Sequence, residues 1–180
     1  ALAEAIRCAA QRLGRPPRIL EIGARSGAAA RELLALLDDC ALDYTLSDPA
    51  RALIEQAERE HAAQDPEPPH TVAFRVFDPE QPATAQGLPE YAFDVVVAFN
   101  ALHRSRNIPA LLDRVRALLG PGGMLLAPEI TRNSTFQLAT VALLESGYTQ
   151  FNDSRHASGD ALLGAPAWCG AFSAARFAAA

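Results

Sequence analysis

The strongest constraint on the fold is a repeated alternation of short apolar segments with helical patterns. Residues 18–22, 44–48, 71–78, 91–100 and 124–130 have the composition of buried strands. Helical patterns cover residues 2–13, 27–37, 49–61 and 108–119. The fourth strand segment, YAFDVVVAFN, is almost unbroken in its apolar character, which is typical of parallel strands covered on both faces. The alternation predicts an α/β fold with a doubly wound, mostly parallel sheet.

Charge, cysteine spacing and the length of apolar runs argue against nucleic-acid partners, metal sites and membrane spans. The 180 residues suffice for one domain, and a net charge of −5 argues against a nucleic-acid surface. Cys8, Cys40 and Cys169 lack a CxxC pattern and a nearby histidine cluster, so we expect unpaired, buried thiols in a reducing compartment and no metal site. No apolar run is long enough to cross a membrane, and no secretory signal is visible, so we expect a cytoplasmic protein without membrane partners.

Two features indicate a piece of a longer polypeptide. The chain starts within a helical pattern and contains a single methionine. The alternation also fades after Glu129, where residues 135–147 have a helical pattern, residues 148–168 are mostly loop, and residues 168–177 form a last helix. We expect Trp168 and Phe172 to pack in the core, and His61, His70 and His156 to be solvated.

Polar residues follow all five predicted strands. Ligands bind outside the carboxyl ends of the strands in parallel α/β sheets, so these residues mark a candidate site. They are Glu21 to Gly27, Asp48, Asp78, Asn100 to His103, and Glu129.

The first strand ends in a glycine loop, Glu21-Ile-Gly-Ala-Arg-Ser-Gly27, and a helix follows. Glycine lets backbone approach a ligand closely, but the GxGxxG dinucleotide pattern is not met, which disfavours NAD. Asp48 is placed to accept hydrogen bonds from ribose hydroxyls, or it caps the helix that follows it. Asp78 accepts from a base amino group, or it opens the turn at Pro79.

These segments together carry a family resemblance. ILEIGARSG, YTLSDPA, FRVFDPE, the stretch from FDVVVAFNALH to APEIT, and the later Trp-Phe helix resemble class I S-adenosylmethionine (SAM) methyltransferases. More narrowly, they resemble the tailoring methyltransferase domains of polyketide and nonribosomal peptide synthetases, over about residues 18–177. The resemblance implies a Rossmann-like class I methyltransferase fold without its last strands. It also implies that residues 1–180 form one methyltransferase-like domain of a much larger multidomain synthetase.

The resemblance also implies a site. NALH and PEIT match the family positions of a catalytic His–Glu dyad, here His103 and Glu129, which deprotonates a substrate carbon. Histidine is a suitable base near neutral pH, and a carboxylate on the neighbouring strand end would orient its ring. The alternative is a loop histidine in a polar segment. The implied partners are a carrier domain with a phosphopantetheine-tethered substrate and neighbours such as an adenylation domain. The implied SAM-binding residues are Glu21, Gly23, Gly27, Asp48, Asp78 and Asn100.

Arg25 departs from the family pattern, which has a glycine at this position. Its side chain either points to solvent, or it occupies the methionine pocket and places a cation near the sulfonium. We therefore expect an intact nucleoside site and a damaged methyl-donating site. That combination resembles the epimerase insert of pyochelin-type siderophore synthetases, which inverts a carrier-tethered aminoacyl or peptidyl thioester without SAM. The alternatives are an active C- or N-methyltransferase and a non-catalytic structural insert.

Overall fold

The computed structural model describes residues 1–63, 70–132 and 150–178. Five strands form one parallel sheet in the order β3-β2-β1-β4-β5. Their bounds are β1 Arg18–Ile22, β2 Asp43–Asp48, β3 Thr71–Val76, β4 Phe93–Val97 and β5 Leu119–Leu126. The predicted parallel α/β sheet is confirmed. The order reverses between β1 and β4, which is where parallel α/β sheets open a crevice for ligands.

Helices cover both faces of the sheet. They are α1 Leu2–Leu13, α2 Ala28–Ala35, α3 Arg51–Ala62, α4 Ile108–Leu118, α5 Ser154–Ser158 and α6 Ala165–Ala174, with short 3₁₀ turns at Thr84–Gln86 and Leu102–Arg104. Successive strand residues point to opposite faces, so Ile19 packs in the core with α1 and α2 while Leu20 packs in the core with α4 and α6. The doubly wound arrangement is therefore confirmed.

Several predicted boundaries differ from the structure; β3 and β4, for example, end at Val76 and Val97 rather than at residues 78 and 100. Helix α3 begins at Arg51 rather than at Pro49, because the Asp48 carboxylate accepts a hydrogen bond from Ala50 N and holds the preceding residues in a turn. Strand β5 begins at Leu119, before the glycine-rich segment rather than after it. Helix α6 starts at residue 165, where proline occupies the first turn, and ends at residue 174. The helix predicted at residues 135–147 lies outside the described residues.

The cysteines are unpaired, as expected, but they are not buried. Cys8 and Cys169 are exposed and Cys40 is half-buried. Cys8 lies in α1 and Cys169 in α6. None of the helices in the described ranges is long and apolar enough to cross a membrane.

One predicted solvated histidine is buried. His70 is 8% exposed, and its Nε2 lies 3.2 Å from Leu34 O, so the start of β3 is covered by the end of α2. His156 is exposed, as expected. Trp168 is 4% exposed and stacks on Phe172 with ring centroids 5.4 Å apart, which confirms the predicted core stripe.

Candidate functional site

A cavity of about 360 Å³ opens beyond the carboxyl ends of the central strands. Its volume falls within the range of small-molecule sites. The wall takes residues from the ends of β1 and β2, from the loops after β3 and β4, and from residue 150. It includes Ile22, Gly23, Asp48, Pro49, Asp78, Pro79, Glu80, Ala101, Arg104, Ser105, Leu111 and Gln150.

The loop after β1 packs directly against the loop after β4. At Gly23, φ is +72°, and a Cβ there would lie 2.8 Å from the Cβ of Ala101. A side chain at this position would therefore push the two loops apart and reshape the cavity between them. Close approach of these loops explains why the sequence has glycine at this position.

Arg25 has the backbone conformation expected of the glycine it replaces. Its φ is 52°, in the left-handed region, at a cost of roughly 1 kcal/mol for a residue with a Cβ. Its side chain is exposed, whereas its backbone N donates to Asp48 Oδ2 at 3.1 Å. Of the two alternatives for Arg25, the structure shows the one in which the side chain points to solvent.

Asp48 braces two loops at the cavity wall. Its Oδ1 accepts from Ala50 N at 2.8 Å, while Oδ2 accepts from Arg25 N, and the residue is 3% exposed. Ala50 is the N-cap residue of α3 and no side chain caps this helix, so the capping alternative is wrong; Asp48 instead holds the turn that precedes the helix. A carboxylate has further lone pairs, so Asp48 can also accept from a ligand in the cavity that it lines.

Asp78 likewise combines a turn with a place in the wall. Its Oδ1 accepts from Glu80 N at 2.9 Å, which is the turn-opening contact that the sequence allowed. Sequence reasoning missed Gln86, whose side chain accepts from Asp78 N and donates to Asp78 O, both at 2.8 Å. A glutamine in a loop rich in proline and glutamine gives no sequence signal for this role.

Glu21 lies inside the protein rather than on the cavity wall. It is 1% exposed, and Oε2 accepts from the Tyr44 hydroxyl at 2.9 Å. Burial raises the pKa of Glu21 to about 7, against the opposing effect of the Tyr44 hydrogen bond. Burial and the Glu21 carboxylate together raise the pKa of Tyr44 well above 10.

Asn100 and Gly27 shape the backbone around the cavity. Asn100 has φ 54°, and its Oδ1 accepts from Ile130 N at 2.9 Å, so it joins the loops after β4 and β5. Gly27 starts α2 in a left-handed conformation. Of the six residues predicted to bind cofactor, three line the cavity and three lie behind it; those in the wall are Gly23, Asp48 and Asp78.

The predicted dyad is assembled beside the cavity. His103 Nδ1 lies 2.7 Å from Glu129 Oε2. The other carboxylate oxygen, Oε1, accepts from Ala101 N at 2.9 Å and from Leu102 N at 2.7 Å. The Glu129 side chain is 3% exposed and that of His103 is 21% exposed. A carboxylate at this distance accepts the Nδ1–H of the neutral ring, which leaves Nε2 as the basic position.

The 3₁₀ turn after β4 carries the histidine. Leu102 is fully buried and anchors the turn in the core, so the next residue is directed outward. Ala101, Arg104 and Ser105, which flank His103, all line the cavity. His103 is therefore next to the cavity.

A buried arginine at this turn was missed by sequence reasoning. Arg155 of α5 is 1% exposed and donates to the carbonyl oxygens of His103, at 2.5 Å, and Ser105, at 2.6 Å. It lies within residues 148–168, which were predicted to be mostly loop. Its partners lie 50 and 52 positions away in the chain, so local patterns do not signal the contact.

Comparison with known proteins identifies the family. A model of the family described as "Methyltransferase domain" matches residues 20–125 of the 180. The chain belongs to this methyltransferase family. Hybrid PKS-NRPs synthetase opdA of Penicillium oxalicum is 38% identical over 114 residues, 63% of this chain and 3% of that protein. Polyketide synthase ThaQ of Burkholderia thailandensis is 35% identical over 149 residues, 81% of this chain and 7% of that protein.

Solved structures agree with this family. The CurJ carbon methyltransferase superposes with a TM-score of 0.80 at 27% identity, covering 91% of this chain and 42% of that one. The trans-methyltransferase CalH, in complex with S-adenosylhomocysteine (SAH), superposes with a TM-score of 0.81 at 26% identity, covering 96% of this chain and 48% of that one. The chain is thus a class I SAM-dependent methyltransferase domain of the kind found in these synthases. These relatives favour the methyltransferase alternative over the epimerase interpretation that we preferred from Arg25.

The residues present fit SAM. Gly23 contributes no side chain to the cavity wall, and Arg25, whose side chain is exposed, is not among the residues that line the cavity. Asp48 and Asp78 add carboxylates to the wall, which suit the hydroxyl and amino groups of a nucleoside. The described part of the chain contains no cluster of three or more His, Cys, Asp or Glu side chains that could hold a metal ion.

Proposed function

We propose that this methyltransferase domain methylates the α-carbon of an acyl thioester that phosphopantetheine tethers to a carrier domain. The observation that carries the proposal is the His103–Glu129 pair, joined at 2.7 Å beside the cavity. The carrier and neighbouring domains, an adenylation domain among the candidates, would belong to the same larger synthase. The size of the relatives supports this context, because the chain spans only 3% and 7% of two of them.

The dyad supplies the proton chemistry. A proton on the carbon next to a thioester carbonyl is weakly acidic, and His103 Nε2 accepts it as the C–H bond breaks. The electron pair of that bond stays on the substrate as an enolate. Glu129 stabilises the imidazolium and fixes the ring, since its own position is held by two backbone N–H groups.

The cavity would bind the methyl donor. SAM, when bound, carries an electrophilic methyl group. Gly23, Asp48 and Asp78 would hold it as members of the cavity wall. Glu21, Gly27 and Asn100 would act indirectly, by fixing the loops that form this wall.

Epimerisation uses the same base but returns a proton to the other face of the carbon. Epimerisation was favoured because Arg25 was expected to damage the methyl-donating site. The exposed side chain of Arg25 does not support that expectation. The carbon methyltransferase among the similar structures also supports methyl transfer. A non-catalytic insert gives no reason for a buried carboxylate that holds a histidine beside a cavity.

Mass analysis of the tethered acyl group tests the proposal. The protein is incubated in D₂O with SAM and an acyl-loaded carrier. We expect gain of a methyl group; gain of a deuteron without a methyl would favour the epimerase. His103→Ala should abolish methylation, and Glu129→Gln should slow it by roughly 10²–10⁴-fold. His156→Ala, which removes an exposed histidine, should have no effect. Methylation by His103→Ala at the normal rate would exclude the dyad mechanism.

A further inference from the structure

The guanidinium of Arg155 is completely engaged within the protein. Nη1 donates to His103 O at 2.5 Å, and Nη2 donates to Ser105 O at 2.6 Å. Asp153 balances its charge, with Oδ1 2.9 Å from Nε and Oδ2 2.7 Å from Nη2. The Phe151 ring covers one face, with its centroid 3.8 Å from Cζ.

The buried charge of Arg155 must be compensated by contacts within the protein. A buried ion is costly unless it is paired and hydrogen-bonded. Asp153 supplies the pairing; of the remaining contacts, the two short ones go to the carbonyls of His103 and Ser105, and a longer one, at 3.4 Å, goes to that of Ala161. A planar guanidinium can bridge two acceptors at a fixed spacing, whereas a lysine ammonium cannot reproduce this fork. The planar guanidinium therefore fits the two carbonyls at the end of the 3₁₀ turn that carries His103.

The same segment also holds the start of α4. Asp153 Oδ2 accepts from Ile108 N at 2.9 Å. Asn107 Nδ2 donates to Asn152 Oδ1 at 2.9 Å. Residues 151–155 thus hold both ends of the short connection between the 3₁₀ turn and α4.

His103 is consequently held from two sides. Glu129 fixes the imidazole ring of His103 and accepts from the N–H groups of Ala101 and Leu102, the two residues before His103. Arg155 fixes the carbonyl of His103 itself and that of the residue two positions after it. Ring orientation depends on both constraints, because the side chain turns with its backbone.

We propose that Arg155 is a positioning residue for the base: its two carbonyl contacts set the direction in which His103 Nε2 faces the tethered substrate. This rests on the proposed function, in which His103 removes the α-proton. Arg155 itself touches neither substrate nor the reacting atoms in this role.

Solvent deuterium exchange at the α-carbon, measured without SAM, reports removal of the α-proton separately from methyl transfer. We expect Arg155→Met in the full chain to lower kcat for exchange by about 10²-fold, the scale of an ångström of misplacement. The KM for the acyl carrier and the Kd for S-adenosylhomocysteine (SAH) should change less than about twofold, since neither depends on ring direction. Arg155→Lys keeps the charge beside Asp153 and should lose less. Arg12→Met is the matched control, because exposed Arg12 also donates to a carbonyl, that of Gly122 at 2.9 Å.

Imidazole ¹⁵N NMR separates positioning from general destabilisation. The ring of His103 should be protonated at Nδ1 in the wild type and a mixture of tautomers in Arg155→Met, and guanidinium ion should partly restore exchange to Arg155→Ala. Folded Arg155→Met or Arg155→Lys with the wild-type exchange rate, pH profile and ring signals would overturn the proposal. If the wild type shows no His103-dependent exchange, the proposed function fails, and the ring signals alone decide the role of Arg155.

Discussion

At the scale of single residues, Arg25 shows that a missing motif glycine does not by itself mean a damaged site. The motif requires a left-handed backbone at this position, and Arg25 has it, with φ 52°. The motif would also exclude a side chain that entered the cavity, and the Arg25 side chain is exposed. Its backbone N still reaches Asp48. The substitution therefore costs backbone strain and leaves the contacts of the loop in place.

The exposed side chain of Arg25 predicts the effect of restoring the glycine. Arg25→Gly should leave the affinity for SAH within about threefold of the wild type, because no cavity contact changes. Stability should change by less than roughly 1 kcal/mol, since relief of strain is offset by the entropy of glycine in the unfolded chain. Titration calorimetry and urea unfolding measure both quantities.

The comparison variant is Gly23→Ala, which adds a Cβ 2.8 Å from that of Ala101 and should abolish SAH binding. A tenfold or larger gain in affinity for Arg25→Gly would instead show that the arginine obstructs the site.

The sequence identified the positions of the candidate residues better than their orientations. Glu21 and Asp48 both occupy strand ends, so both were predicted to bind cofactor. Glu21 is the penultimate residue of β1 and its side chain enters the layer with Tyr44, whereas Asp48 ends β2 and lines the cavity. Side chains alternate along a strand, so a position near a strand end does not by itself decide whether the side chain meets the cavity or the core. The role of Arg155 could not be predicted from the sequence for a different reason: its partners are distant in the chain.

At the scale of elements, β5 shows how glycines can be part of a strand rather than its boundary. Leu119 pairs with Phe93, and Met124 pairs with Val95, so an irregularity lies between two regular stretches of the ladder. The glycine-rich segment was predicted to stop α4 before the strand began. It instead forms a bulge, which glycine permits because backbone atoms there come unusually close.

The bulge leaves less room for a side chain at Gly123 than at Gly120. A Cβ there would lie 2.9 Å from Gly120 O and 3.1 Å from Asp94 O, both backbone atoms that cannot move freely. We expect Gly123→Ala to destabilise the protein by roughly 1–3 kcal/mol, the usual cost of overpacking. Gly120→Ala is the control, because its Cβ would meet Phe93 O and Tyr91 O at an ordinary 3.6 Å. Equal urea midpoints for the two variants would show that the bulge can rearrange.

At the scale of the whole molecule, one sheet separates two cores and places the cavity between its halves. The alternation in the sequence predicted the sheet and its two covered faces, because helices between parallel strands must pack on one face or the other. The cavity follows from the strand order, since the loops after β1 and β4 lead to helices on opposite faces of the sheet where that order reverses. The sequence did not reveal that this arrangement leaves a carboxyl group, Glu21, buried near the centre of the sheet.

Glu21 should therefore make the stability of the whole protein depend on pH. Burial raises its pKa to about 7 in the folded state, from 4.5 in the unfolded chain, so the folded state binds more protons between these values. The free energy of unfolding should fall as pH rises through this window, by up to roughly 3 kcal/mol, with the loss complete above the folded pKa. Glu21→Gln removes the titrating group and should be more stable than the wild type at about pH 8, with the advantage vanishing near pH 4.5. Urea unfolding at several pH values gives this difference, in which the other titrating groups cancel. A difference that does not change with pH would mean that Glu21 has the same pKa in both states.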